Sequence, residues 1–289
     1  MWISLFRAEW TKIIGNRWVT AGLIWIFPGL AVLATIIGLL LALFSAAFRE
    51  GLQGDPAIWT EVAILPWLVP NNPLGRALLL GFAAVLFAGE YQWNTWKAIV
   101  PRSRRVPLIL VKFAAVAAFV LLTFALTSLL LTLGVGLISL AAGADYGPIP
   151  DGAALAEFGE DYGLQVFYAF LTTVIASGIA ALVAMITRSI LASALISILI
   201  AIGETLLLFP LYLLAVLTRT EGILHLYRFL PGYNLISLFG WLAGETPEGF
   251  ELLSGEVIVD GRLFSATVLS FWVIGLVSLT AYLFNRQDL

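Results

Sequence analysis

Six long apolar runs alternate with polar segments along the 289-residue chain. A run of about 20 apolar residues crosses the roughly 30 Å hydrocarbon core of a bilayer as a helix, so the pattern predicts an all-α polytopic membrane protein. The first span reads 18–44, roughly 40 Å of helix, long enough to cross with tilt. A cleavable signal peptide competes with it, since Arg7, Lys12 and Arg17 precede a run ending near Ser45 and Ala47. Cleavable apolar regions are only about 7–15 residues long, and the length favours a retained span. The further spans read 74–91, 108–142, 164–186, 190–217 and 263–284. The third is over-long, so that it protrudes or breaks near Gly134 and Gly136, and only Thr187, Arg188 and Ser189 separate the fourth from the fifth, a tight antiparallel hairpin. Residues 1–289 form a single transmembrane domain in this reading, with both termini on one side.

Charge then sets the orientation. One set of segments holds Arg7, Lys12, Arg17, Lys97, Arg102, Arg104, Arg105, Lys112, Arg188 and Arg286 against Glu9, Glu90 and Asp288, ten cations to three acids. The other holds five cations, Arg49, Arg76, Arg219, Arg228 and Arg262, against fourteen acids. The positive-inside rule places both termini, the second-to-third connection and the fourth-to-fifth turn in the cytoplasm of a prokaryotic-type cell (inner) membrane.

Composition narrows the chemistry. Hydrophobic residues make up 61% and charged residues 11%, far below the roughly 25% charged of a soluble domain, so lipid is the main solvent. Zero Cys excludes disulfides, thiolate nucleophiles and Cys zinc sites, and the one histidine, His225, cannot build a His cluster. No metal ligand set is expected.

Two amphipathic stretches flank the spans. In 1–17, Trp2, Ile3, Phe6, Trp10, Ile13 and Ile14 fall on one helical face, with Ser4, Thr11, Lys12 and Asn16 opposite, the pattern of an interfacial helix or of an aromatic belt at the base of a span. The second stretch, 89–107, carries Trp93, Trp96 and Val100 at helical spacing, with Asn94, Thr95 and Lys97 between them, and Pro101 stops the helix before an Arg cluster. It reads as a short element at the cytoplasmic surface, or as a plain positive topology determinant.

An interfacial N-terminal helix ending in a basic residue, then Glu90, Tyr91, Trp93, Thr95 and Trp96 closing span two, then Pro101, Ser103, Arg104 and Lys112 opening span three, resembles the ABC-2 type permease family. The resemblance covers the whole chain in span number, loop lengths and orientation, although its local motifs are degenerate. It implies that Glu90, Tyr91, Trp93, Thr95, Trp96, Lys97, Arg102, Arg104 and Arg105 couple to a separate ATPase subunit, assisted by Trp2, Phe6, Trp10, Lys12 and Arg17. It further implies paired membrane subunits, as two copies or with a paralogue, and a substrate path at their interface lined largely by spans two and five.

Inside the spans, Glu204 sits near the middle of the fifth, where an acidic group costs about 2.5–3.5 kcal/mol on insertion scales and needs a partner or a watery path. Pro210 follows within two turns and can kink the helix toward a cavity. Both are translocation-pathway candidates. The alternatives for Glu204 are a cation on a neighbouring span, a local bond to Thr205 or Ser197, or a span that ends earlier. The 218–262 segment is extracytoplasmic. Within it, 223–230 and 233–243 are too short to cross and read as a re-entrant or interfacial hairpin turning at Pro231 and Gly232. The acidic stretch 245–260 reads as solvated surface without calcium-ligand spacing, and 257–264 as a small β-hairpin around Asp260 and Gly261. Gly240 and Gly244 match a small-residue packing motif.

The chain has no G-x-x-x-x-G-K-[ST] phosphate loop and no soluble stretch long enough for a nucleotide-binding domain, so no cofactor is expected on this chain and ATP and Mg belong to a partner. The leading reading is a non-enzymatic membrane subunit of an ATP-driven exporter of hydrophobic or amphiphilic substrates, with an ATPase subunit, a second permease and the bilayer as partners and no nucleic acid. A non-transporting structural subunit is the alternative. An intramembrane enzyme lacks any Gly-x-Ser-x-Gly or H-E-x-x-H arrangement, and a secondary transporter would show an inverted repeat.

Overall fold

Helix α1, Trp2–Gly15, leads into α2, Ile26–Phe44, in a computed structural model that describes residues 2–16, 20–22, 24–93, 95–96, 104–247 and 249–287. The second helix is shorter than the span expected from the apolar run. At 19 residues it still covers about 28 Å. Two short helices follow, α3 (Ala46–Gly54) and α4 (Trp59–Ile64), the latter continued by a 3-10 turn to Leu68. Sequence reading passed over both. Val62, Ala63 and Trp67 bury their side chains, and the Ser128 hydroxyl donates to the Ala63 carbonyl at 2.6 Å.

The long helices are α5 (Pro73–Gln92), α6 (Arg105–Ala142) and α7 (Gly152–Thr187). Asn72 caps α5 and Asp151 caps α7, each side chain accepting a backbone N–H of the first turn. The cap at Asp151 and the following Ala153, Ala154, Leu155 and Ala156 start α7 three turns before the expected 164, so acidic residues 157, 160 and 161 ride on a helix rather than a loop. Helix α6 runs unbroken through Gly134 and Gly136. A Cβ on Gly134 would collide with Thr35 of α2, and one on Gly136 would crowd the Tyr146 ring, so these glycines permit close packing and do not break the helix.

After a turn with Arg188 in the left-handed region, α8 (Ile190–Leu206) breaks at Leu207 and continues at 54° as α9 (Leu208–Thr218). Pro210 lies within the first turn of α9, where its absent N–H and its ring are incompatible with an unbroken helix through Leu206. A 3-10 segment, Glu221–Phe229, then abuts α10 (Pro231–Leu242), and α11 (Arg262–Asn285) ends the fold. Asn234 joins the two arms by donating to the Arg228 and Leu230 carbonyls. Trp272 of α11 donates to Phe229, and Trp241 to Asp260, so the hairpin is fixed to the last helix.

Two expectations in this region change. The β-hairpin pairs β1, Phe250–Glu251, with β2, Val257–Ile258, and turns at Ser254 and Gly255 (φ 85°), not at Asp260 and Gly261. Asp260 is buried against Arg228, which it accepts through both carboxylate oxygens, so it is not solvated surface. Gly240 faces Pro247 of the same chain, and Gly244, at φ 77°, terminates α10, leaving the small-residue motif with an internal role.

The bundle packs α6 against α2, and α5 against α7 and α8, with α11 lying on α6 and α7 and α1 on α6. Among the described residues five helices are long and apolar enough to cross a membrane, or six where the bent α8–α9 pair is one broken span. Several Thr inside the bundle are satisfied by their own helix: Thr123, Thr127, Thr173 and Thr280 each donate to the carbonyl four residues back. Replacing Gly134 with Leu inserts a side chain into the α2–α6 contact and is expected to cost about 1–3 kcal/mol. The checking measurement is thermal unfolding in detergent, and an unchanged midpoint would show that α2 does not depend on this close approach.

Candidate functional site: charged sites at the two ends of the bundle

At the end of the bundle that carries α1, four charges converge within an apolar shell. Lys112 of α6 places its Nζ 2.9 Å from Glu9 Oε2 and 2.8 Å from Glu90 Oε1. Lys12 places its Nζ 2.7 Å from Glu9 Oε1 and 2.9 Å from the same Glu90 oxygen. The Thr95 hydroxyl closes the set by donating to Glu90 Oε2. Glu9, Lys112 and Glu90 are all 5% exposed or less, whereas Lys12 keeps about a third of its side chain in contact with solvent. Two cations and two carboxylates leave no net charge, the condition under which such groups can sit out of water.

Helical geometry builds this cluster. Glu9 and Lys12 are three apart on α1 and share a face, Glu90 occupies the last turn of α5, and Lys112 lies two turns into α6. The aromatic roof is local: the Lys112 ammonium lies 5.3 Å from the Trp96 ring centre, and Trp96 packs on Phe284 at 4.4 Å. Nearby, the Tyr91 hydroxyl donates to Gln287, and Arg105 donates to the carbonyls of Asn285 and Gln287 at 2.8 and 2.7 Å. The last turn of α5 and the first residue of α6 are thereby tied to the end of α11.

The expected surface element is therefore mostly turned inward. Glu90, Tyr91, Thr95, Trp96 and Arg105 are engaged within the chain, because α5 ends at Trp93 and the chain folds Trp96 back over the Glu90 turn. Trp93, 55% exposed, and Arg104 face outward. Lys97, Val100, Pro101 and Arg102 lie outside the described residues, as does Arg17. On α1 the expected division of faces is also revised: Trp2, Ile3 and Ile14 are exposed, Phe6 and Trp10 pack partly against the core, and Lys12 belongs to the inward face together with Glu9. Sequence reading missed Glu9 and Lys112 as partners. The available signal was a lysine two turns inside an apolar span, which requires an opposite charge.

At the opposite end, Glu204 in the last turn of α8 faces Arg76 in the first turn of α5, Oε2 to Nη1 3.6 Å. Its other oxygen accepts the backbone N–H of Gly232. Pro231 opens α10 and no side chain of its own cap satisfies the first-turn amides, so Glu204 supplies that acceptor from another helix. Glu204 is not mid-helix as expected, because α8 ends at Leu206; it faces a neighbouring cation there, and Thr205 donates instead to Ala201. A cavity of about 370 Å³ opens here, lined by Arg76, Glu204 and the 3-10/α10 hairpin. Pro210 lies on an exposed face of α9, away from that lining.

A family model described as ABC-2 family transporter protein matches residues 5–160, more than half of the chain. The chain belongs to the ABC-2 transporter family. No curated protein matches it significantly. It is a multi-pass membrane protein and a transport permease component. The matched stretch of this ABC-2 permease contains the whole four-charge cluster and Arg76, whereas Glu204 and the hairpin lie beyond it.

Replacing Lys112 with Met leaves Lys12 as the one cation for two buried carboxylates, and the expected loss of stability is about 3–5 kcal/mol. Adding Glu90→Gln should recover part of it by removing one stranded charge. Unfolding midpoints of the single and double variants test this, and a Lys112→Met protein as stable as the parent would contradict the cluster's structural role.

Proposed function

We propose that this chain is the transmembrane subunit of an ATP-driven exporter of hydrophobic or amphiphilic substrates. A separate ATPase subunit supplies ATP and Mg²⁺ chemistry, and the chain pairs with a second copy or a paralogue. Family membership supports the permease assignment, and the family implies an ABC ATPase partner. The observation that carries the coupling reading is the placement of Trp93 and Arg104, exposed just past the end of α5 anchored by Glu90 and just before α6.

The proposed mechanics follow from rigidity. By the positive-inside rule the four-charge end lies in the cytoplasm, where an ATPase would dock. Force applied at 93–104 reaches Glu90 directly, and through Lys112 and Glu9 it reaches α6 and α1 together. Helix α5 then acts as a rod: Glu90 and Arg76 are 14 residues apart on one helix, about 21 Å along its axis. A shift at the docking elbow is thereby delivered to the Arg76–Glu204 contact and the cavity beside it, as alternating access requires. Glu204 belongs to the translocation pathway in this reading; Pro210 sets the bend of α8–α9 without facing the path.

Trp96 is a poor probe of docking, since truncating a buried tryptophan costs about 3–5 kcal/mol and would damage the fold itself. The exposed pair is the cleaner test. Trp93→Ala with Arg104→Glu should leave folding intact yet abolish substrate-stimulated ATP hydrolysis in the reconstituted complex, with transport falling at least tenfold. Full coupling in that double variant, or purified assemblies that never contain an ATPase, would sink the reading.

A further inference from the structure

The Arg76 cavity carries hydrogen-bond donors that no acceptor among the described residues takes up. Among the described residues the Arg76 guanidinium makes a single 3.6 Å ion pair and no hydrogen bond, although it carries five N–H donors. Tyr168 and Tyr227 also line the cavity, and neither hydroxyl makes a hydrogen bond among the described residues. Tyr168 lies within electrostatic reach of both Arg76 and Glu204, and Tyr227 of Glu204. The nearest acceptors are already engaged within the chain. Glu204 takes the Gly232 N–H and faces Arg76, and Asn71 Oδ1 takes the Thr172 hydroxyl at 2.9 Å. Asn71 also spends its own amide on the Trp67 carbonyl, and Thr205 donates to Ala201. What the lining lacks is a multivalent acceptor.

The remaining wall is apolar, including Ile198, Ile202 and Leu230, and the site lies one turn from the end of α5. Its volume of about 370 Å³ is within the roughly 300–1,000 Å³ of small-molecule sites. Arginine binds phosphate and carboxylate through paired N–H donors, and tyrosine hydroxyls extend such a cradle. A cationic headgroup would instead compete with Arg76 for a carboxylate that is already engaged.

From these unmatched donors we propose that the Arg76 cavity binds the anionic headgroup, phosphate or carboxylate, of an amphiphile whose hydrocarbon lies along the Ile198–Ile202 wall. The inference rests on the permease reading and gives it a substrate class: an amphiphile bearing a negative headgroup, taken at the end of the bundle opposite the coupling elbow. Glu204 acts as a positioning residue, holding α10 by the Gly232 amide and keeping Arg76 oriented.

The test uses the full-length protein in dodecyl maltoside micelles, with the thermal midpoint followed as dodecyl phosphate, dodecyltrimethylammonium or inorganic phosphate is titrated in. Dodecyl phosphate should raise the midpoint at concentrations at least tenfold below those needed for inorganic phosphate, and the ammonium amphiphile should not. Arg76→Lys should keep part of the response. Arg76→Gln risks misfolding by stranding Glu204, so the neutral pair Arg76→Gln with Glu204→Gln is the deciding variant and should weaken dodecyl phosphate at least tenfold. Glu204→Gln alone keeps an acceptor for the Gly232 amide and should respond to dodecyl phosphate more strongly than the neutral pair, which ties the loss to Arg76. An equal response to all three probes, a preference for the ammonium, inorganic phosphate acting as strongly as dodecyl phosphate, or an undiminished response in the neutral pair would each overturn the proposal. An ATPase complex that couples normally without Arg76-dependent binding would sink this inference alone. Arg76-dependent binding in a chain that never assembles with an ATPase would instead sink the permease reading.

Discussion

Burying the Lys112 ammonium between Glu9 and Glu90 constrains the rest of the fold. An isolated lysine at that depth would be expelled or neutralised, and a carboxylate would fare no better. Each becomes tolerable only when helices from three separate parts of the chain arrive together: α1 with Glu9 and Lys12, α5 with Glu90, and α6 with Lys112. Helix α1 therefore cannot be a loosely attached amphipathic anchor. Its inward face is defined by charge as much as by Trp10 and Ile13, and detaching it would leave Lys112 with half its partners. Membrane insertion of the third apolar run and docking of the N-terminal helix are, in this sense, one event.

The body between the two charged ends is built on a different principle. Its polar atoms are largely hydroxyls satisfied by their own helix, and its close contacts come from small residues such as Gly134 against Thr35 and Gly38 against Ile138. Such a body transmits displacement but offers few places for a polar ligand. Charge reappears only near the helix ends, at Glu90 and Lys112 on one side and Arg76 and Glu204 on the other. Helix α5 is the element common to both sites.

Much of this was readable in the residues. Apolar run lengths located the long helices, and Pro231 with Gly232, expected as the turn between two arms, fell at the junction where the second arm begins. What could not be read was pairing. Glu9 lies 81 positions from Glu90 and 103 from Lys112, and no local periodicity links them. Trp96 reads as interfacial by type, yet it is buried against Phe284 and over a buried lysine. The same limit explains α3, α4 and the early start of α7. Short or acid-rich stretches carry weak apolar periodicity, and they are helical here because caps such as Ser45 and Asp151, or packing against α6, settle the matter. The β-hairpin lay a few residues from its expected place because Asp260, the better turn former by composition, was already committed to Arg228.

Glu204 shows how a locally unfavourable residue can be required by the tertiary structure. A carboxylate in the final turn of α8 faces the negative end of that helix's dipole, next to carbonyls freed by the break at Leu207. Taken alone, the position disfavours an acid. The break, however, directs the chain away by 54° and leaves room for the first turn of α10, whose uncapped amides present the opposite polarity. Glu204 bridges the two helix ends, and Arg76 removes the residual charge. Replacing the acid by a good helix former would relieve α8 and at the same time release α10. The residue is therefore retained for what it holds together, and the cavity beside Arg76 exists because the helix ends meet there without closing.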